Sequence, residues 1–347
     1  MDGIFNWLKC RKIELIIFAM LFFAGAAFYH PIEYDNTTSR YLLLSAIVDH
    51  GTLSIDDYRT QTIDKSEWNG HYYSNKAPGA SFLGAPVYWI IRNFTSRQAA
   101  SPITSMEKYL VRIITTTLLF ALLGVVMYRL AQFCGVTPRQ AFLMVIAYGF
   151  GTIALLHATL FSGHQIAASL SFFSFALLVR SSSPEKMSVT KNLGCGVLAG
   201  LLAGFAVITD YPAVVISVCL AVYVMTSRSN LRLKAGFMFG ACICACMLAA
   251  YNNICFGNPF SFSYEYQVFE VFRNGAAQGF CGVGIPKINA MVNLLFFPAR
   301  GIFFIMPVLL LFFWGIADAI KRAHYKREAI FIIMAAVGSL LFVAGYH

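Results

Sequence analysis

Long apolar runs separated by short basic connectors dominate the chain, and their lengths predict its elements. Stretches of the size a membrane helix needs, roughly 20 mostly apolar residues, occupy 13–30, 109–131, 140–160, 163–180, 193–210, 211–227, 235–255, 300–318 and 329–346. The pattern predicts nine spans. The segment 80–91, ASFLGAPVYWII, is shorter and contains Pro86. At about 1.5 Å per residue it cannot cross roughly 30 Å of hydrocarbon, so it reads as an interfacial or re-entrant helix.

Counting 80–91 as a crossing would invert every later loop, so the basic residues test the count. With nine spans and Lys9, Arg11 and Lys12 in the cytoplasm, the same side holds Arg129 and Arg139, then Arg180, Lys186 and Lys191, then Arg228, Arg232 and Lys234, then Lys321, Arg322, Lys326 and Arg327. A tenth crossing would export these later clusters, against the tendency of short basic loops to stay inside. The expected arrangement is a multi-pass protein of the cell (inner) membrane with a cytoplasmic N-terminus. Two long polar loops, 31–108 and 256–299, then lie outside. In the first, TTSRYLLLSAIVDHG places Leu42, Leu43, Ala46 and Ile47 ahead of Gly51, which predicts a short amphipathic helix lying on the membrane with a glycine stop.

Composition agrees with this class. Of 347 residues 58% are hydrophobic and 12% charged, far below the roughly 25% charge of soluble domains. A net charge of +10 would suggest nucleic acid in a soluble chain, but the basic residues are distributed among the connectors and no nucleic-acid partner is expected. Cys242, Cys244 and Cys246 have neither zinc spacing nor a disulfide framework. The opening MDGIFNWLKCRK lacks a small-residue cleavage site, so 13–30 reads as an uncleaved first span. The expected fold is an all-α integral membrane protein, a single domain over 1–347 with interfacial helices in the first outer loop.

The unusual polar residues fall at one level of this topology, the outer one. Asp35 follows the first span, His157 ends the third, His164 and Gln165 open the fourth, Asp210 and Tyr211 separate the fifth and sixth, and Arg300 opens the eighth. Ionisable groups at membrane depth are costly and are candidates for function. Each also has a structural alternative. Asp35 could cap the helix that follows, Asp210 could cap the sixth span, His164 could be satisfied between helices, and Arg300 could snorkel to headgroups. The glycines of GCGVLAGLLAG and GFCGVG fit close helix packing better than a phosphate cradle.

YDNTTSRYLLLSAIVDHGTLSID followed by NKAPGASFLGAPVYW resembles the GT-C superfamily of membrane glycosyltransferases. In its aminoarabinose transferases and protein O-mannosyltransferases an aspartate after the first span precedes an arginine-tyrosine helix, a glycine turn and a Lys-Pro-Pro-Leu motif. Here Asp35, Arg40, Tyr41 and Lys76 match, with Ala77-Pro78-Gly79 in place of Pro-Pro-Leu. LFSGHQIAASLSFFSFALL and GLLAGFAVITDYPAVV resemble later segments, with His164 at a polar or acidic position and Asp210 where lysine is common. DKSEWNGHYYSNKAPG and LLFFPARGIFFIMPVLLL are similar in general form to GT-C-like bacterial proteins. Such proteins usually continue with further spans or an exported domain beyond the point where this chain ends.

The resemblance implies transfer of a sugar from a polyprenyl-phosphate donor to an extracytoplasmic glycan, lipid or protein. Asp35 would be the general base. Lys76 and Arg300 would bind the donor phosphate, and Arg40, Tyr41, His164, Asp210 and Tyr211 would line the substrate. No cofactor is expected. Asp35, Asp210 and Glu265 could gather around a divalent cation, but no spacing argues for one. A transporter or flippase of lipid-linked sugars and a non-catalytic scaffold, in which Asp35 pairs with Lys76, are the competing classes.

Overall fold

The computed structural model describes residues 2–30, 34–95, 103–182, 189–227, 230–279, 282–321 and 325–346. Lys186, Arg228 and Arg322 lie outside them, as do the side chains of Lys9 and Lys191. The elements are α1 (Asp2–Ala26), α2 (Asp35–Ser45), β1 (Lys65–Trp68), β2 (His71–Ser74), α3 (Gly79–Thr95), α4 (Ser105–Phe133), α5 (Pro138–Gly151), α6 (Ala154–Ala158), α7 (Gly163–Ser181), α8 (Val189–Thr209), α9 (Val214–Met225), α10 (Leu231–Phe256), α11 (Glu270–Ala276), α12 (Ile288–Phe296), α13 (Ile302–Ile305), α14 (Leu311–Lys321) and α15 (Lys326–Ala344).

The chain is a helical membrane protein. Among the described residues four helices are long and apolar enough to cross a bilayer: α4, α8 over Asn192–Thr209, α10 and α15. Tyr211–Met225 is a shorter apolar helix. Two of the expected continuous spans are broken. In 140–160, Thr152 takes an extended backbone, while its hydroxyl donates to Tyr148 O at 2.7 Å and accepts from the Ala154 amide at 3.2 Å. This ends α5 and starts α6. In 300–318 the helix stops at Met306 and resumes through a 3₁₀ turn opened by Pro307, whose ring and missing N–H prevent continuation of an α-helix.

α8 and α10 are held together by glycine. A Cβ on Gly200 would overlap the Phe237 carbonyl, and one on Gly236 would come 2.6 Å from Leu193 O. The two backbones therefore approach closely, as small residues permit between membrane helices. In the other glycine segment, Gly279 and Gly282 lie at turns instead. Gly279 and Gly282 have φ of 63° and 86°, a region only glycine enters freely, and the amide of Gly284 donates to Gly345 O at 2.7 Å. Phe280 and Cys281 lie outside the described residues.

The helix predicted to lie on the membrane is buried. Arg40, Tyr41, Leu42, Leu43 and Leu44, on all sides of α2, are enclosed, because α3 packs along α2 and a cap built from both polar loops covers it. A π-helical turn over Ala46–His50 continues α2, and Gly51 does stop it there, at φ 65°. The cap contains an unpredicted antiparallel hairpin with Lys65 opposite Ser74 and Trp68 opposite His71. Its turn residues Asn69 and Gly70 have φ of 50° and 82°, as a type I′ turn requires. The second loop joins the hairpin where the Ser66 hydroxyl donates to Ser263 O at 2.6 Å and the Val268 amide donates to Lys65 O at 3.1 Å.

The short segment at 80–91 is a longer helix than its apolar run, 17 residues from Gly79 to Thr95 with Pro86 inside. Its last turn is fixed by Arg92, which lies 3.1 Å from Asp49 with both side chains buried. Tyr88 also donates to Asp49, at 3.1 Å. Burial pushes the Asp49 carboxyl up, against the opposing charge of Arg92. At the start of α4, Thr104 and Glu107 form a reciprocal capping box. Farther along, Arg112 donates to Gly25 O at 2.9 Å, Phe28 O at 2.5 Å and Ala158 O at 3.3 Å. It thereby satisfies carbonyls at the ends of α1 and α6 that no helical amide can reach.

Candidate functional site

The cap and the neighbouring ends of α7 and α8 bring six of the sequence candidates into one region. Lys76 is the first element. Its Nζ lies 3.0 Å from Asp64 Oδ2, and both side chains are largely buried. Asn75 donates from Nδ2 to Asp64 Oδ1 at 3.4 Å and to Gln267 Oε1 at 3.2 Å, while the Ser263 hydroxyl donates to Asn75 O at 3.0 Å. Ser39 on α2 donates to Asp64 O at 2.6 Å. Residues from both loops thus hold one ion pair in place. Burial draws the Lys76 ammonium down from its usual value, against the pull of Asp64.

Arg40 is the second cation, and only 4% of it is exposed. Its Nη1 donates to Asn36 O at 2.8 Å and also to the Asn36 side chain. Burial lowers it from the usual arginine value, while Asp210, Tyr264 and Asp64 oppose that shift. Gly163 makes room for it, since a Cβ there would come 3.0 Å from Arg40 Nη2 and 2.7 Å from Thr209 O. The guanidinium thus stands between two acidic centres, and its charge is felt at Lys76.

The second centre is the pair His164 and Asp210, whose Nδ1 and Oδ2 are 2.5 Å apart. Asp210 precedes the 3₁₀ turn Tyr211–Ala213 but makes no side-chain cap bond, so its carboxylate serves His164 instead. The His157 ring meets that of His164 edge to face at 5.4 Å. Tyr211 packs edge-on against Phe262 and Tyr264, with centroids 5.4 and 5.6 Å away. Burial pushes the Tyr264 phenol up.

Asp35 is exposed and occupies the first turn of α2, after Tyr34 at the cap position. Its Oδ1 accepts from the Thr62 hydroxyl at 3.1 Å and the Ile63 amide at 3.2 Å. Its Oδ2 has no hydrogen-bond partner among the described residues, and its charge acts on Lys76. Lys76 therefore pairs with Asp64 rather than with Asp35, in contrast to the scaffold expectation.

Two candidates fall elsewhere. Tyr41 is a core residue, stacked on Phe161 at 4.6 Å with its hydroxyl donating to Lys108 O at 2.9 Å. Arg300 is exposed in the turn after α12, and the ion pairs and hydrogen bonds of the cluster do not include it. Among the described residues no group of three His, Cys, Asp or Glu side chains is placed to hold a metal, so Asp35, Asp210 and Glu265 do not gather.

Asp64, Asn75, Gln267 and Tyr264 were not apparent as site residues from the sequence. For Asp64 a signal existed. Asn69-Gly70 between alternating residues marks a two-residue hairpin, and that register sets Asp64 across from Asn75 and beside Lys76. No comparable local signal announces Gln267 or Tyr264. No family model, curated protein or solved structure matches the chain.

Proposed function

We propose that the chain is a membrane glycosyltransferase that moves a sugar from a polyprenyl-phosphate donor to an extracytoplasmic acceptor. In this reading it spans the membrane nine times with its N-terminus in the cytoplasm, and the cap faces outward. The observation that carries the reading is the grouping of a buried cation, Arg40, and a largely buried one, Lys76, with the solvent-facing carboxylate of Asp35. Departure of a sugar leaves negative charge on the lipid phosphate, and cations fixed in advance in a poorly solvated site stabilise that charge most effectively. Lys76, held by Asp64, is the direct phosphate contact, and Arg40 adds field from behind it in the role first considered for Arg300. Asp35 has an oxygen left to take the proton of the attacking hydroxyl, a step worth roughly 10²–10⁴-fold in rate.

The reaction balances simply. The acceptor oxygen bonds to the anomeric carbon, the bond from that carbon to the phosphate oxygen breaks, and the proton goes to Asp35. The test is transfer from a panel of polyprenyl-phosphate sugars by the purified protein, with mass spectrometry of lipid products. Release of polyprenyl phosphate that requires Lys76 and Asp35 supports the reading. Absence of both binding and turnover across the panel overturns it.

The buried Lys76 and Asp64 pair favours a second reading, a scaffold in which the pair only braces the cap. An apolar replacement of both residues that keeps full cellular function would select it.

A further inference from the structure

Beside the Lys76 cluster a cleft of about 150 Å³ runs from His164 and Asp210 along the bundle between α7, the start of α9 and α15. Its polar end has a defined chemistry. A carboxylate only accepts hydrogen bonds, so Asp210 holds the hydrogen on His164 Nδ1, 2.5 Å away. In the neutral ring this leaves Nε2 as an acceptor. The His164 side chain is 55% exposed, and an acceptor on it suits an incoming hydroxyl.

The walls beyond it are apolar, with Ala168, Phe342 and Val343 among them. Ala168 and Val343 are also exposed on the bundle surface, so the cleft opens sideways, in the direction from which a lipid in the bilayer would enter. Deeper in, Ser171 lines the cleft. Its hydroxyl is buried and has no hydrogen-bond partner among the described residues. It is an unmatched donor on a residue of the cleft wall, and rotation about χ1 would offer it to an acceptor on an occupant.

We propose that this cleft seats the hydroxyl-bearing acceptor, and that the acceptor is an acylated lipid rather than a soluble glycan or a protein. Its hydroxyl donates to His164 Nε2, its chain lies against the apolar walls, and an ester or amide carbonyl takes the Ser171 hydroxyl. A soluble sugar would leave those walls against water, and a peptide would bring further backbone polar groups to a surface that offers no match for them. His164 is here a binding residue, with Asp210 positioning it. The assignment of the lipid as acceptor rests on the glycosyltransferase reading, whereas the lipid site itself does not.

The probe is a diacylglycerol with a photoreactive diazirine in one chain, compared with its methyl ether, in an amine-oxide detergent that carries no hydroxyl. The free alcohol should label α7 and α15 at least tenfold more efficiently than the ether. Ala168→Trp and Val343→Trp, both at exposed positions, should each abolish that labelling while polyprenyl-phosphate binding persists. His164→Phe should reduce alcohol labelling to the level of the ether, which a merely structural histidine would not do. Equal labelling by alcohol and ether, or by the wild type and both tryptophan variants, overturns the proposal, as does displacement of the probe by a water-soluble glycan or peptide. Loss of the glycosyltransferase reading would appear separately, as absence of polyprenyl-phosphate binding in the wild type.

Discussion

Lys76 and Asp64, twelve positions apart, meet at 3.0 Å because a two-residue turn at Asn69 and Gly70 folds their strands back on each other. Burial lowers the Lys76 pKa from 10.5, so its proton leaves at a lower pH in the folded protein than in the unfolded chain. Across the window between the lowered value and 10.5 the unfolded chain holds more protons, and the contribution of this group to stability rises with pH. If the Lys76 ammonium is the phosphate contact proposed above, binding of polyprenyl phosphate should fall over the same window. Titration of donor binding and of thermal stability should reveal these opposite slopes, and Lys76→Arg should remove both while keeping part of the binding. Wild-type binding that persists unchanged beyond pH 10.5 would exclude the ammonium as the phosphate contact.

Asp35→Asn keeps an acceptor oxygen for Thr62 and Ile63, so the turn it holds should survive. Folding and donor binding should match the wild type, and turnover should drop by roughly 10²–10⁴-fold. Transfer at the wild-type rate would leave Asp35 with a structural role alone.

Arg92→Ala strands the Asp49 carboxylate, whose side chain is 1% exposed. Loss of one partner of a buried pair costs about 3–5 kcal/mol. Thermal unfolding should show a large drop for this variant and a much smaller one for Asp49→Leu with Arg92→Met. Equal drops would mean that shape, not the stranded charge, sets the cost.

Gly200→Ala pushes a methyl group into the Phe237 carbonyl, whereas Gly194→Ala meets nothing within 4 Å. The first should destabilise by roughly 1–3 kcal/mol as an overpacked contact. The second should be neutral or slightly stabilising, since alanine is the better helix former. Indistinguishable melting curves would contradict the close approach of α8 and α10.

Orientation is open to a direct measurement. Glu67 lies exposed on the hairpin and Arg139 lies exposed near the start of α5. In intact cells an impermeant thiol reagent should label Glu67→Cys above the wild-type background and should reach Arg139→Cys only after lysis. The reverse pattern would invert the proposed nine-span topology.

The class of protein was legible in hydropathy alone, and His164, Asp210, Arg40 and Lys76 stood out along the chain as unusual polar residues. Those inferences rest on hydropathy and on single costly charges, which are local properties that accumulate along the chain whatever its partners. The sequence also marked Gly51 as a stop and the glycines of α8 as a packing face, because backbone freedom and small volume belong to the residue itself. Which residues pair depended on the folded arrangement. Asp64 became the partner of Lys76 through a chain reversal, and Asp210 turned from a helix cap to His164 because α7 begins beside the end of α8. The burial of α2 and the separation of Arg300 from the cluster were decided the same way. Leu42 to Leu44 would suit a lipid surface as well as a protein interior, and what enclosed them was packing by α3 and the cap, including residues of 263–268 about two hundred positions away in sequence. Burial of that kind depends on contacts between distant segments, and no local pattern in either segment encodes it.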